Sequence, residues 1–150
     1  MTGYEPHEGR RQLAARVAAG LPNLTVQPGG WDALTGERYA AILLVDTLHH
    51  IPREAHRQVL QTLAAHLEPG GVLLISETDL APSRRMQSWW NYLSDVLLYP
   101  GETRCMFRTS EELQEMLGEV KMRIDAVPLP SVFGFATILY VASRSNERSG

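Results

Sequence analysis

The chain is 150 residues long, 44% hydrophobic and 21% charged, with a formal net charge of −3. That length is one domain's worth and enough to bury a core, and the slightly acidic balance argues against a nucleic-acid surface, which is normally basic. Cys105 is the single cysteine, so no intrachain disulfide forms, and the opening MTGYEPHEGRR lacks the apolar stretch of a secretory signal; a cytoplasmic protein with no membrane partner is the expectation.

Taken in order, TGYEP reads as the tail of a strand that ends on Glu5. HEGRRQLAARVAAGLP follows as a helix with an apolar stripe around Leu13 and Val17, closed by Pro22 and Asn23. LTVQ is a short strand, and PGGWDALTGERY is a loop rich in breakers that carries Trp31, Asp32 and Ala33. AAILLVD is a continuous apolar run of strand length, the pattern of a central strand covered on both faces. It runs into VDTLHHIP, where Asp46, His49 and His50 stand together. After Pro52, REAHRQVLQTLAAHLE reads as a helix with a stripe of Val59, Leu60, Leu63, Ala64 and Leu67. It stops at PGG, where Gly70 or Gly71 supplies a positive-φ turn. GVLLISETD is a second buried strand, with Glu77 and Asp79 at its end.

Strand, helix, PGG turn and strand in that order predict a βαβ unit in a parallel sheet. PSRRMQSWWNYLSDVLL reads as a further helix, and TSEELQEML as a shorter one with Thr109 or Ser110 as N-cap. KMRIDAVPL and FGFATILYVAS are two strands joined by PSVFG, a spacing that suits an antiparallel hairpin. The predicted fold is α/β and Rossmann-like: a mostly parallel sheet, helices on both faces, and a C-terminal antiparallel β-hairpin. Residues 1–143 form the expected domain, and 144–150 a flexible polar tail.

The residues of VDTLHHIP admit several chemistries. Metal binding is disfavoured, because the spacings of His49, His50, His56 and His66 match no ligand motif such as H-E-x-x-H. A general base is the better reading, since imidazole titrates near neutral pH and a strand end is where an open sheet places its ligands. His49 is the candidate base; His50 reads first as a packed wall of the pocket. Trp89, Trp90, Tyr92 and Tyr99 read either as an aromatic lid over a flat small molecule or as plain core. Arg104 and Arg108 either meet an anionic substrate or pair with Glu111 and Glu112.

The stretch YAAILLVDTLHHIPREAHRQVLQTLAAHLEPGGVLLISETD resembles the class I S-adenosylmethionine-dependent methyltransferases. It looks like their fourth strand, following helix and fifth strand, with the LHH strand end and the L-x-PGG-x-L-L-I turn. GYEPHEGRRQLA looks like the family's second strand with its terminal acid, GGWDAL like the acid-bearing loop after strand three, and FRTSEELQEML with the closing hairpin like its C-terminal part. The resemblance implies S-adenosyl-L-methionine as cofactor, with Glu5 accepting from the ribose hydroxyls and Asp32 from the adenine amino group. Trp31 or Ala33 would border the ring, and Asp46 would face the methionine end or the substrate. His50, Glu77, Trp89 and Tyr92 would line the substrate pocket of a small-molecule acceptor.

From the residues alone, Glu5 reads equally as a helix-N-terminal acid and Asp32 as a turn residue. The family's glycine-rich loop after its first strand has no counterpart here, and the glycine pairs at 29–30 and 70–71 sit in other loops. The expectation is a fragment of a longer enzyme, inactive or a weak cofactor binder by itself. A homodimer, a complementing chain that supplies the missing strand, and a rearranged sheet are the alternatives, as is a non-catalytic module that binds a partner through its exposed sheet edge. A nicotinamide dehydrogenase is a weaker rival, lacking any hydride-transfer residue.

Overall fold

The computed structural model describes residues 1–34, 36–78, 86, 89, 93, 97, 106–129 and 137–144. The chain divides into two units, Met1–Glu37 and Arg38–Gly150.

The first unit is a small parallel β-α-β element. Strand β1 (Thr2–Glu5) pairs in parallel with β2 (Thr25–Pro28), and helix α1 (Glu8–Ala18) connects them. His7 caps α1, its Nδ1 accepting from the Arg10 amide at 3.4 Å, while Glu8 sits in the first turn where the helix dipole favours an acid. The predicted stripe on this helix is not buried: Leu13 is 62% and Val17 65% exposed, and only Ala18 is covered. Two strands of four residues offer too little surface to cover a helix face. After β2 the chain turns on Gly29 (φ +112), where an added Cβ would clash with the Ala33 Cβ. The turn Trp31–Ala33 that follows is a single 3-10 turn.

The second unit holds a four-stranded mixed sheet in the order β3-β4-β6-β5. Strand β3 (Tyr39–Val45) is parallel to β4 (Leu67–Thr78), and helix α2 (His56–Ala65) crosses over between them, as the strand-helix-strand pattern predicts. Strands β5 (Met122–Pro128) and β6 (Thr137–Arg144) are the antiparallel hairpin, and β6 pairs antiparallel to β4. Before the hairpin, helix α3 (Ser110–Glu119) opens on a capping box: the Glu112 amide donates to the Thr109 hydroxyl, and the Thr109 amide to the Glu112 carboxylate. Val59, Leu60, Leu63 and Ala64 of α2, Leu113 and Leu117 of α3, and Leu73 and Ile75 of β4 form the core.

Among the described residues the apolar run AAILLVD is paired on one side only, by β4, the open edge expected where the family's first strand has no counterpart. The expected cover on both faces is not seen, since Leu43 and Val45 are 58% and 56% exposed. An apolar run reports that a strand is covered somewhere; the order of the sheet decides on how many sides. The helix predicted over 53–68 opens as a 3-10 turn, Arg53–Ala55, after Pro52, and ends at Ala65. Its last residues join β4, because PGG lies inside that strand. There Tyr39 pairs with Leu67 and Ala41 with Val72, so the extra residues bulge out, with Gly70 at φ +79. A Cβ on Gly71 would lie 3.0 Å from the Tyr39 carbonyl and 3.1 Å from that of Ala40, so glycine is needed where β4 closes on β3.

The end of the chain expected to be a flexible tail lies outside the described residues except Arg144, which ends β6 and donates to the Ala64 carbonyl at 2.7 Å. No helix among the described residues is long and apolar enough to cross a membrane.

Candidate functional site

The carboxyl end of β3 turns on Asp46, whose φ of +43 is left-handed, a conformation Asp tolerates better than most side chains. Its amide still bonds the Ser76 carbonyl of β4 at 2.9 Å, and the Thr47 hydroxyl bonds the Val45 carbonyl at 2.7 Å. The chain then makes one 3-10 turn, Leu48–His50, that buries Leu48 and His49. On β4, side chains alternate, so Glu77 falls on the same buried face as Leu73 and Ile75. A carboxylate there must find donors. It finds two on the 3-10 turn: the Leu48 amide donates to Oε1 at 2.7 Å, and His49 Nδ1–H donates to Oε2 at 2.6 Å. Both partners are buried, with side chains 3% and 10% exposed.

The carboxylate thereby fixes the tautomer of His49. With the proton on Nδ1, Nε2 is the ring's basic nitrogen, and it too is buried. The faces of the ring are packed as well, by His50 at 4.2 Å and Phe107 at 4.7 Å between ring centroids. A cavity of about 10 Å³, one water's worth, adjoins the pair and is lined by Thr78, Met106 and Tyr140 among others.

A second buried histidine stands beside this cavity. His56, at the start of α2, is fully buried; its Nε2–H donates to the Ile51 carbonyl at 2.8 Å, and its Nδ1 accepts from Arg108 Nε–H at 2.9 Å. Burial pushes His56 below its usual 6.5, opposed by the Ile51 hydrogen bond and reinforced by the Arg108 charge. Arg108 also donates to the Arg53 carbonyl at 2.8 Å and lies 3.6 Å from Glu112, so the expected pairing with an acid of α3 is made. Arg53 pairs with Glu112 too, and Arg57 with Glu119 at 2.7 Å. The Thr109 amide and the Arg53 and Arg108 guanidinium groups hold the Glu112 carboxylate below its ordinary range.

In the first unit, Glu5 ends β1 and its Oε1 accepts from the His7 amide at 2.8 Å and from Arg10 Nε at 3.3 Å. The helix-terminal role read from the sequence is thus present, and both contacts use the same oxygen. Trp31, Asp32 and Ala33 share the 3-10 turn after β2, with Asp32 exposed. These four residues lie in the first unit; Asp46, His49, His50 and Glu77 lie in the second, gathered at the ends of β3 and β4. Trp89 is helical and 56% exposed, so this one of the four aromatics is not core. Tyr92, Trp90, Tyr99, Asp79 and Arg104 lie outside the described residues. Among the described residues no three His, Cys, Asp or Glu side chains are grouped to hold a metal ion.

The pairing of His49 with Glu77 goes beyond the sequence reading, which assigned the two to separate roles. The signal was present in LLISE, where strand alternation carries the acid onto the apolar face. The His56–Arg108 contact joins residues 52 positions apart and left no such trace.

A family model described as "Methyltransferase domain" matches residues 1–124. Over 48 residues the chain is 44% identical to a carboxy-S-adenosyl-L-methionine synthase of Chromohalobacter salexigens, a match covering 32% of this chain and 18% of that protein. Among solved structures, it is similar to magnesium protoporphyrin IX methyltransferase from Synechocystis PCC 6803 with bound SAH. That likeness has a TM-score of 0.68 at 21% identity and covers 96% of this chain and 64% of the other. It is also similar to the mitomycin 7-O-methyltransferase MmcR, with a TM-score of 0.75 at 16% identity, over 96% of this chain and 41% of the other. The chain therefore spans less than two thirds of the length of each of these proteins.

Proposed function

The chain belongs to the methyltransferase domain family, and from that premise we propose that it serves S-adenosylmethionine-dependent methyl transfer to a small-molecule oxygen that carries a proton. The observation that carries this reading is the buried His49–Glu77 pair, 2.6 Å apart at the carboxyl ends of two parallel strands. S-adenosylmethionine supplies a methyl group already activated on a sulfonium, so transfer needs mainly proximity and alignment. An uncharged hydroxyl or phenol is a poor acceptor until it gives up its proton. His49 Nε2 takes that proton, and Glu77 holds the ring's tautomer and stabilises the imidazolium that results, the division of labour found in histidine–carboxylate pairs of acyl-transfer enzymes.

The first unit suits the nucleoside end of the cofactor. Glu5 presents its second carboxylate oxygen at a strand end, where charge-assisted bonds to ribose hydroxyls are strong. Asp32 accepts from the adenine amino group, and Trp31 and Ala33 border the ring on a turn that Gly29 keeps tight. We assign Asp46 to the methionine end, and His50 and Trp89 to the acceptor's side. We place the protein in the cytoplasm, with residues 1–143 as one methyltransferase domain. The test is incorporation of labelled methyl from S-adenosylmethionine into a panel of phenols, alongside calorimetry of cofactor binding. Label in phenols but not in thioethers or tertiary amines supports the reading; equal labelling of acceptors that have no proton to lose contradicts it.

The open side of β3 favours a second reading, in which the chain is a module completed by a strand from a partner or a second copy. Leu43 and Val45 are more than half exposed beside backbone that β4 does not use. Light scattering on the purified chain decides it: a dimer that Leu43→Lys converts to monomer supports this reading, and a monomer at all concentrations removes the second copy as the partner.

A further inference from the structure

The segment leading into α3 is fastened at three successive residues. The Met106 amide donates to the His49 carbonyl at 2.7 Å, the Phe107 ring lies against the His49 imidazole, and Arg108 reaches His56 and the Arg53 carbonyl. This strap touches His49 on its backbone and its ring face, while Glu77 holds its Nδ1 edge. We propose that Arg108 and neutral His56 are positioning residues for His49: their hydrogen bond pins residues 106–108, and the pinned strap keeps the His49 ring on Glu77. The inference rests on the reading of His49 as the base, but its readouts need no turnover.

The chemistry of the lock depends on protonation. His56 Nδ1 can accept from Arg108 because Nε2 carries the ring's single proton and donates it to Ile51. A protonated His56 has N–H on both nitrogens, so Nδ1–H would face the guanidinium N–H, two donors and two like charges. The groups around His56 act in both directions. Arg108 on the strap opposes its proton; the Ile51 and Leu48 backbone and Glu77 on β4 favour it; Arg53 and Glu112 stand behind Arg108, and His49 across the cavity is itself titratable. Burial opposes the proton too and is the largest influence. The lock is therefore closed at neutral pH and opens on acidification.

Nitrogen-detected imidazole spectra and amide hydrogen exchange on the full chain test this. In the wild type above neutral pH, His49 shows the Nδ1–H tautomer and the Met106 amide is protected. Arg108→Gln should lower Met106 protection on the order of tenfold and turn the His49 signal into a mixture of both tautomers. Arg108→Lys should recover part of the protection, because an ammonium can meet His56 but not hold the Arg53 carbonyl with the same fork. Acidifying the wild type should reproduce the loss as His56 takes its proton, with no substitution to perturb folding. Unchanged Met106 protection and an unchanged His49 tautomer, in Arg108→Gln or across His56 protonation, overturn the proposal. A His49→Ala variant with full methyl transfer would instead overturn the base reading and leave the lock standing.

Discussion

Two buried histidines stand seven positions apart in this chain and are wired in opposite senses. His49 meets a carboxylate at Nδ1 and so carries its proton there. His56 meets a guanidinium at Nδ1 and so carries its proton on Nε2, against a backbone carbonyl. Residue type and burial are the same, and the partner decides the rest. The first arrangement leaves a base prepared to gain a proton beside a stabilising anion; the second leaves a ring that must stay neutral to keep its contact. Sorting histidines by partner rather than by burial separates the candidate base from the structural one.

The comparison is broken most directly at His49. His49→Ala should lower kcat for methyl transfer to a phenol by about 10²–10⁴-fold, while His56→Ala at saturating substrate should lower it far less; steady-state rates of the two variants check this. Next in size is Glu77→Ala. It strands the Leu48 amide and the His49 ring in a buried setting and should destabilise the fold by about 3 kcal/mol, read from urea unfolding. A smaller effect is expected at the cap of α3, where Thr109→Ala should cost about 1 kcal/mol and loosen Glu112 behind Arg108.

The pH dependence sharpens the contrast further. His56 sits below 6.5 in the folded protein, so between its folded value and 6.5 the unfolded chain binds the proton more readily. The contribution of neutral His56 is fully present above about pH 6.5 and is lost as pH falls through the folded value. Thermal unfolding of wild type and His56→Gln across that window should show the difference between them shrinking towards acid.

Much of this architecture was legible in the sequence. AAILLVD, the α2 stripe and GVLLISE read correctly as strand, helix and strand because burial sets their patterns, and Thr109, one of the two N-caps the sequence offered, caps α3. The order β3-β4-β6-β5 leaves one side of β3 unpaired among the described residues, which was readable not from β3 itself but from the missing counterpart of the family's first strand. The exposure of Leu13 and Val17 on α1 was likewise hidden, since an apolar stripe states a need for cover and not its presence. At the site, the strand-end position of His49 and the presence of Glu77 were readable. Their contact was not, because it depends on the left-handed turn at Asp46 that carries the 3-10 turn back over β4.

The account turns on His49 acting as base for an acceptor proton, and the pH–rate profile of methyl transfer from S-adenosylmethionine to a phenol tests it most directly. In the wild type, the rate should fall on the acid side as His49 is protonated. In His49→Ala, that limb should vanish and the remaining rate should rise only with ionisation of the phenol itself. The same acid limb and the same plateau in both proteins would contradict the account.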